Sequence, residues 1–292
     1  MKSESLRTRV AILGSGGIGV DLMFKVKASR NLSLAFVVGR NANSEGLGVV
    51  REHGVPTSSE GLNFLKDNVD QFDMVFDATS AAAHTVSNQF FRQAGKFTID
   101  LTPAKLGQLC VPSINLEQIN AAQNINLITC GGQASLPLAY ALSQAVDEID
   151  YIEVVSTISS RSAGMATREN INEYLTTTES ALASFSGAGR TKAILNINPA
   201  EPGISMQTTL YATAKYRDFD RVKACIDAMT RRVQTYVPGY QLVMGPMENR
   251  GQIVVGLTVR GSGDYLPSFA GNLDIINCAA VAVAEHKHAL AG

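Results

Sequence analysis

The run Gly14-Ser15-Gly16-Gly17-Ile18-Gly19 constrains this chain most, because it stands between a short apolar segment, Val10-Ala11-Ile12-Leu13, and a stretch of helical spacing over residues 20–27. A second apolar run, Leu34-Ala35-Phe36-Val37-Val38, follows. Strand, glycine turn, helix and strand in that order form the unit from which a parallel sheet is wound. Glycines allow a tight turn and close backbone approach, and the unpaired N–H groups at a helix start suit a pyrophosphate. The reading is dinucleotide binding. The alternative for the same glycines is helix–sheet packing alone.

Apolar runs at residues 74–79 and 97–101, with helical spacing between them from about 82 to 94, continue the alternation. They predict an α/β fold: a Rossmann-type, doubly wound parallel sheet. After Leu138 the texture changes. Residues 151–158 partly alternate apolar and polar, as a sheet with one wet face does, and strand-like stretches recur at 193–197, 205–211 and 253–259 around a helical segment at 217–233. This predicts a second α+β domain with a mostly antiparallel sheet. The expected division is a dinucleotide-binding domain over residues 1–130, completed by a C-terminal helix at 270–292, and a catalytic and oligomerisation domain over 131–269.

A net charge of −1 without a Lys/Arg run argues against a nucleic-acid or membrane-surface partner and for a small metabolite. No apolar stretch of about 18 residues or export signal is present, so a cytoplasmic protein is expected. The four cysteines, Cys110, Cys130, Cys225 and Cys278, lack the spacing of a zinc site or disulfide framework, so no metal is expected.

Cys130 differs from the other three. It opens Cys130-Gly131-Gly132-Gln133-Ala134-Ser135-Leu136-Pro137 between a strand-like stretch and an apolar helix. Unpaired N–H groups and the positive end of the helix dipole stabilise a thiolate there, so the expectation is a lowered pKa and a nucleophile. The bland reading, a small buried hydrophobe, is assigned to the other cysteines. His84 reads as a helix-surface or capping residue rather than a base. At the end of the second strand, where a dinucleotide fingerprint carries an acid for the ribose, the chain reads Val38-Gly39-Arg40-Asn41. Arg40 suits a 2′-phosphate, which keeps NADP beside NAD, or is a solvated surface residue.

The blocks Gly14 to Gly19, Phe76-Asp77-Ala78-Thr79-Ser80, Asp100-Leu101-Thr102-Pro103-Ala104, Thr129-Cys130-Gly131-Gly132-Gln133-Ala134, Asn198-Pro199-Ala200-Glu201-Pro202 and Ala270-Gly271-Asn272-Leu273-Asp274 resemble those of the acylating acetaldehyde dehydrogenases that partner 4-hydroxy-2-oxovalerate aldolases. The match runs almost end to end. The resemblance implies oxidation of a small aldehyde with NAD(P)⁺ and coenzyme A to acyl-CoA, with Cys130 as nucleophile and an aldolase as partner. It also implies cofactor contacts from Ser15, Gly16, Gly17 and Ile18, from the loop Ser162, Ala163, Gly164, Met165, Ala166, Thr167, Arg168, Glu169 and Asn170, and from Asn272. Thr167 is expected to cap a helix starting near Arg168, and Gly131 and Gly132 to offer N–H groups to an oxyanion. A sheet-rich second domain suggests at least a homodimer.

The chain departs from the family pattern at three places. Asn41 falls where the acid of the second strand is expected, Thr208 replaces an acid thought to assist the thiol, and the segment between Val243 and Ile253 is shorter. The alternatives are therefore a dehydrogenase that releases free acid from a different aldehyde, or a non-catalytic nucleotide-binding subunit of an aldolase.

Overall fold

The computed structural model describes residues 7–164, 167–168 and 170–291. Two sheets organise them. The first has seven parallel strands in the order β3-β2-β1-β4-β5-β7-β6. They are β1 (Thr8–Leu13), β2 (Leu32–Val38), β3 (Thr57–Ser58), β4 (Met74–Asp77), β5 (Phe97–Asp100), β6 (Gln108–Leu109) and β7 (Asn124–Asn126). Helices α1 (Gly17–Ala28), α2 (Glu45–Glu52), α3 (Leu62–Asp67), α4 (Ala81–Gln93) and α5 (Pro112–Asn115) supply crossovers. All four residues of β4 and of β5 are buried, which is why these strands read as continuous apolar runs rather than alternating ones.

After β7 the chain enters α6 (Cys130–Ser143) and then the second sheet, of order β11-β12-β10-β8-β9. Its strands are β8 (Glu148–Ser159), β9 (Arg190–Asn198), β10 (Met206–Lys215), β11 (Tyr240–Asn249) and β12 (Gln252–Val259). Three of its pairings are antiparallel. The fourth, β8 with β9, is parallel, and α7 (Ile171–Ser186) lies between those two strands in the chain as a parallel crossover requires. Helix α8 (Phe219–Gln234) separates β10 from β11. The sequence reading did not anticipate β11, which contains Gly245 and Pro246. Both weaken a strand pattern, and both are tolerated here because β11 is the edge of its sheet.

The last helix, α9 (Gly271–Ala291), carries small and apolar residues on several faces and is buried accordingly. Ile276, Ala279, Ala280 and Val283 pack into the core of the parallel sheet, and Ile275 and Cys278 into that of the mixed sheet. No described helix is long and apolar enough to cross a membrane.

Candidate active site

The C-terminal ends of β4, β5 and β7 meet the start of α6, and the local sequence dictates how. Ile128 takes a left-handed backbone conformation (φ 68°), unfavourable for a β-branched residue. Its N–H donates to Asn126 Oδ1 at 2.8 Å, one of the contacts that hold the turn. Thr129 then caps α6, its Oγ1 accepting from Gly132 N–H at 2.8 Å. Buried Gln133 reaches back, its Nε2 donating to the carbonyls of Cys110 and Leu127 at 2.8 and 2.9 Å. The first turn of α6 is thus tied at three points, and Cys130 is its first residue.

Cys130 is half-buried, and Tyr174 of α7 lies beside it with Oη 3.8 Å from Sγ. Burial pushes the Cys130 thiol above its ordinary range, against hydrogen bonding from Tyr174 and the N–H groups of Gly131 and Cys130. This corrects the expectation of a lowered pKa: desolvation of the thiolate outweighs the help it receives from the helix start. The expected pair of oxyanion donors is corrected too, because Gly132 N–H is spent on the Thr129 cap. Thr208, at the position where the family acid was expected, is buried with its Oγ1 2.9 Å from Ser156 Oγ. Thr208 and Ser156 therefore form a pair of their own.

A cavity opens over Cys130. It is lined by Ile18 of the glycine turn, by Thr79 and Ser80 after β4, by Thr102 after β5, and by Thr167, Asn170 and Tyr174. Leu273 and Ile276 of α9 close another side. The nucleophile candidate and parts of two predicted cofactor segments, the glycine turn and the loop before α7, therefore share one space, with the residue after Asn272 at its edge.

The glycine turn divides its work. Gly14 has φ +126°, and a Cβ on it would fall 2.6 Å from Ala78 O; a Cβ on Gly19 would fall 1.9 Å from Gly14 O. These two serve backbone packing. Gly16 instead faces open space, with nothing within 4 Å of a Cβ there, and it is the N-cap of α1 with no side chain to satisfy the first N–H groups. Gly17 is exposed beside it. Ser15 turns away toward α2, its Oγ 3.0 Å from Ser44 Oγ.

Asn272 is buried, donating from Nδ2 to Ser162 O at 3.1 Å, while its Oδ1 is a buried acceptor without a protein partner. A carboxamide such as nicotinamide's supplies the N–H that such an atom needs. An uncapped helix start over open space and a buried, orphaned amide acceptor both fit a nicotinamide dinucleotide.

The loop before α7 is held by its own residues. Arg168 donates from Nε to Ala163 O (2.9 Å) and from its terminal nitrogen to Ser160 O (3.0 Å), and its N–H reaches Gly164 O. Ser162 Oγ donates to Ser159 O at 3.0 Å. Arg168 thus acts on the loop itself, while Thr167 and Asn170 line the cavity. Thr167 and Arg168 are themselves helical, so Thr167 lies within the turn it was expected to cap, and Asn170 occupies the N-cap position of α7. Met165, Ala166 and Glu169 lie outside the described residues. Arg40 is exposed, and among the described residues no ion pair holds it. Asn41 Oδ1 accepts from Asn43 N–H at 2.9 Å and so serves its own turn.

His84 differs most from its sequence reading. It is fully buried on α4, with Nδ1 2.9 Å from Asp77 Oδ2 and Nε2 3.3 Å from Asp100 Oδ2. Burial pulls the imidazole down, but the Asp77 hydrogen bond and the charges of Asp100 and Asp77 carry it above its ordinary value. Burial likewise pushes Asp100 up to about 6, against His84 and hydrogen bonds from Thr102 and Asn126. Because Asp77 and Asp100 end β4 and β5, this network underlies the cavity floor formed by Ala78, Thr79, Leu101 and Thr102. The helical pattern of residues 82–94 carried no sign that the histidine faces inward to two strand ends.

Two family models match the chain: the NAD-binding domain of semialdehyde dehydrogenases over residues 9–122, and the dimerisation domain of prokaryotic acetaldehyde dehydrogenase over residues 130–267. The chain is 72% identical to an acetaldehyde dehydrogenase of Burkholderia thailandensis over 291 residues, spanning 100% of this chain and 98% of that one. The chain belongs to the acetaldehyde dehydrogenase family. A relative of the same name from Spirochaeta aurantia is 50% identical over 95% of this chain and 93% of its own length. Membership makes the chain an oxidoreductase of the aldehyde dehydrogenase type, with a nicotinamide-binding domain and a dimerisation domain. In fold it also resembles aspartate semialdehyde dehydrogenase II of Vibrio cholerae, solved in complex with ASA (TM-score 0.64, 14% identity, 96% and 98% of the two chains).

Proposed function

We propose that this protein is a CoA-acylating aldehyde dehydrogenase that converts acetaldehyde or a similar small aldehyde to acyl-CoA through a thioester on Cys130. The observation that carries the reading is the shared cavity: the thiol at the start of α6 opens into the same space as Ile18, Thr167 and Asn170. The uncapped start of α1 at Gly16 and Gly17 would hold the pyrophosphate, and Asn272 Oδ1 the carboxamide. When bound, the cofactor supplies a hydride acceptor. Arg40, exposed at the end of β2, would take a 2′-phosphate, which keeps NADP⁺ beside NAD⁺.

Cys130 loses its proton, and the sulfur pair attacks the aldehyde carbon to give a thiohemiacetal. Loss of hydride leaves a thioester on Cys130, which the CoA thiol displaces. The cavity's composition favours a thiol over water as acceptor. Among its described lining residues there is neither a carboxylate nor an imidazole to activate water, whereas a thiol ionises unaided near pH ~8.5. Residues 1–130 with 270–292 would bind the nucleotide, and 131–269 would carry catalysis and assembly in a cytoplasmic homo-oligomer. The family resemblance adds an aldolase of the 4-hydroxy-2-oxovalerate type as the source of aldehyde.

The test crosses NAD⁺ and NADP⁺ with several aldehydes, with and without CoA, following nicotinamide absorbance for wild type and Cys130→Ala. Acyl-CoA formation by the wild type alone supports the reading. Equal rates for the two proteins would end it, and a rate independent of CoA would favour release of free acid.

A further inference from the structure

We infer that Tyr174 is the hydrogen-bond donor that stabilises the Cys130 sulfur anion and then the oxyanion formed next to it. This inference rests on the proposed role of Cys130.

Tyr174 is 8% exposed, and its Oη lies 3.8 Å from Cys130 Sγ. A neutral thiol can donate to that oxygen, but a thiolate can only accept, so ionisation of Cys130 obliges the tyrosine O–H to turn toward sulfur. The backbone N–H of Gly131 favours the anionic form of both Cys130 and Tyr174, and the tyrosine hydroxyl proton remains available to the sulfur. Burial drives the Tyr174 pKa well above the ordinary tyrosine value, which keeps the group a donor at working pH. Two donors expected at the thiol are engaged elsewhere: Gly132 N–H in the Thr129 cap, Thr208 with Ser156.

Two further features hold Tyr174 at the sulfur. Gly131 has no side chain to obstruct it, and a Cβ there would fall 2.0 Å from Oη and 3.0 Å from Cζ. One turn further along α7, Thr178 Oγ1 donates to Tyr174 O at 2.7 Å and lies 2.8 Å from Thr129 Oγ1. Since the Thr178 proton is committed to that carbonyl, Thr129 donates to Thr178 while accepting from Gly132 N–H. A hydrogen-bonded chain therefore runs from the first turn of α6 to the carbonyl of Tyr174, locking one helix against the other.

The chemistry balances without proton transfer from tyrosine. Cys130 releases its proton to solvent on ionising. Its sulfur pair forms the S–C bond and the carbonyl π pair moves to oxygen, two bonds from sulfur and within reach of the same hydroxyl, which shifts its hydrogen bond from sulfur to oxygen. When hydride is lost and the C=O bond re-forms, the oxygen pair returns and the hydrogen bond relaxes.

Tyr174→Phe keeps the ring and removes the donor. In the full-length protein we expect kcat to fall about 10- to 100-fold with the aldehyde KM little changed, and the pH midpoint of Cys130 alkylation by iodoacetamide to rise by about one unit. If the Phe variant does not fold, Gly131→Ala, which displaces the hydroxyl with the tyrosine intact, is read in the same way. A wild-type kcat and an unmoved alkylation midpoint in a folded variant overturn the inference. Failure of the underlying reading is distinguishable, because it appears as retained activity in Cys130→Ala.

Discussion

Gly14 and Gly16 stand two residues apart in one turn, and a methyl group added to each meets opposite surroundings. Gly14→Ala forces a left-handed conformation against the Ala78 carbonyl. The expected cost is about 1–3 kcal/mol of stability, measured by urea denaturation. Gly16→Ala meets nothing within 4 Å and should change stability by less than about 0.5 kcal/mol. Its methyl group projects where a cofactor phosphate would approach, so NADH affinity, read by fluorescence titration, should fall while the fold is kept. Cys130 carries a third expectation. Because burial outweighs its hydrogen bonds, the thiol of the cofactor-free protein should react slowly at neutral pH, with an alkylation midpoint above the ordinary ~8.5. A midpoint below that value would mean that the helix start dominates after all.

Helix α4 is fastened to β4 and β5 through one ionisable side chain. His84 is held between Asp77 and Asp100, and its folded pKa is raised above the unfolded value of about 6.5. A raised pKa means that the folded state binds the proton more tightly, so the stabilisation is fully present below about pH 6.5 and is lost as pH rises through the folded value. Asp100, pushed up to about 6, adds a decline of the same sign as pH rises from its unfolded value near 3.9. The melting-temperature difference between wild type and His84→Asn should therefore shrink from pH 6 to pH 9. A difference that grows with pH would show that the imidazole is neutral when buried. The same fastening shapes the cavity, because the residues following Asp77 and Asp100 form its floor.

The molecule is closed by its C-terminal helix, which packs into both cores and is anchored by charge as well as by apolar contact. Lys25 of α1 lies 2.7 Å from Asp274 of α9, 2.9 Å from Asp264 and 3.6 Å from Asp21, with its own side chain only 8% exposed. Burial opposes its charge, but Cys278 and the carboxylates of Asp274 and Asp264 keep it protonated. Lys25→Met removes the cation and leaves Asp274 and Asp21 buried without a counter-ion, held only by neutral donors such as Ser262 N–H and Asn277 Nδ2. A loss of about 3–5 kcal/mol is expected in denaturant titration. A loss below about 1 kcal/mol would indicate that apolar packing alone holds α9. Since Asn272, Leu273 and Ile276 belong to the same helix, the variant should also weaken nucleotide binding.

Local periodicity was enough to identify the strand, turn and helix of the first crossover, the buried strands β4 and β5, four of the five strands of the second sheet and the final helix. Each of these is encoded by which neighbouring residues share a face. The start of α6 was legible for the same reason: a cysteine and two glycines stand in a row between a strand-like stretch and an apolar helix. Only the tertiary structure decided what surrounds that cysteine. Tyr174 is 44 residues away in the chain and reaches the sulfur because α7 packs on α6; His84 turns inward because two strand ends supply carboxylates. Whether the thiol pKa rises or falls depends on desolvation, a property of everything packed around the sulfur. No spacing in the sequence records it.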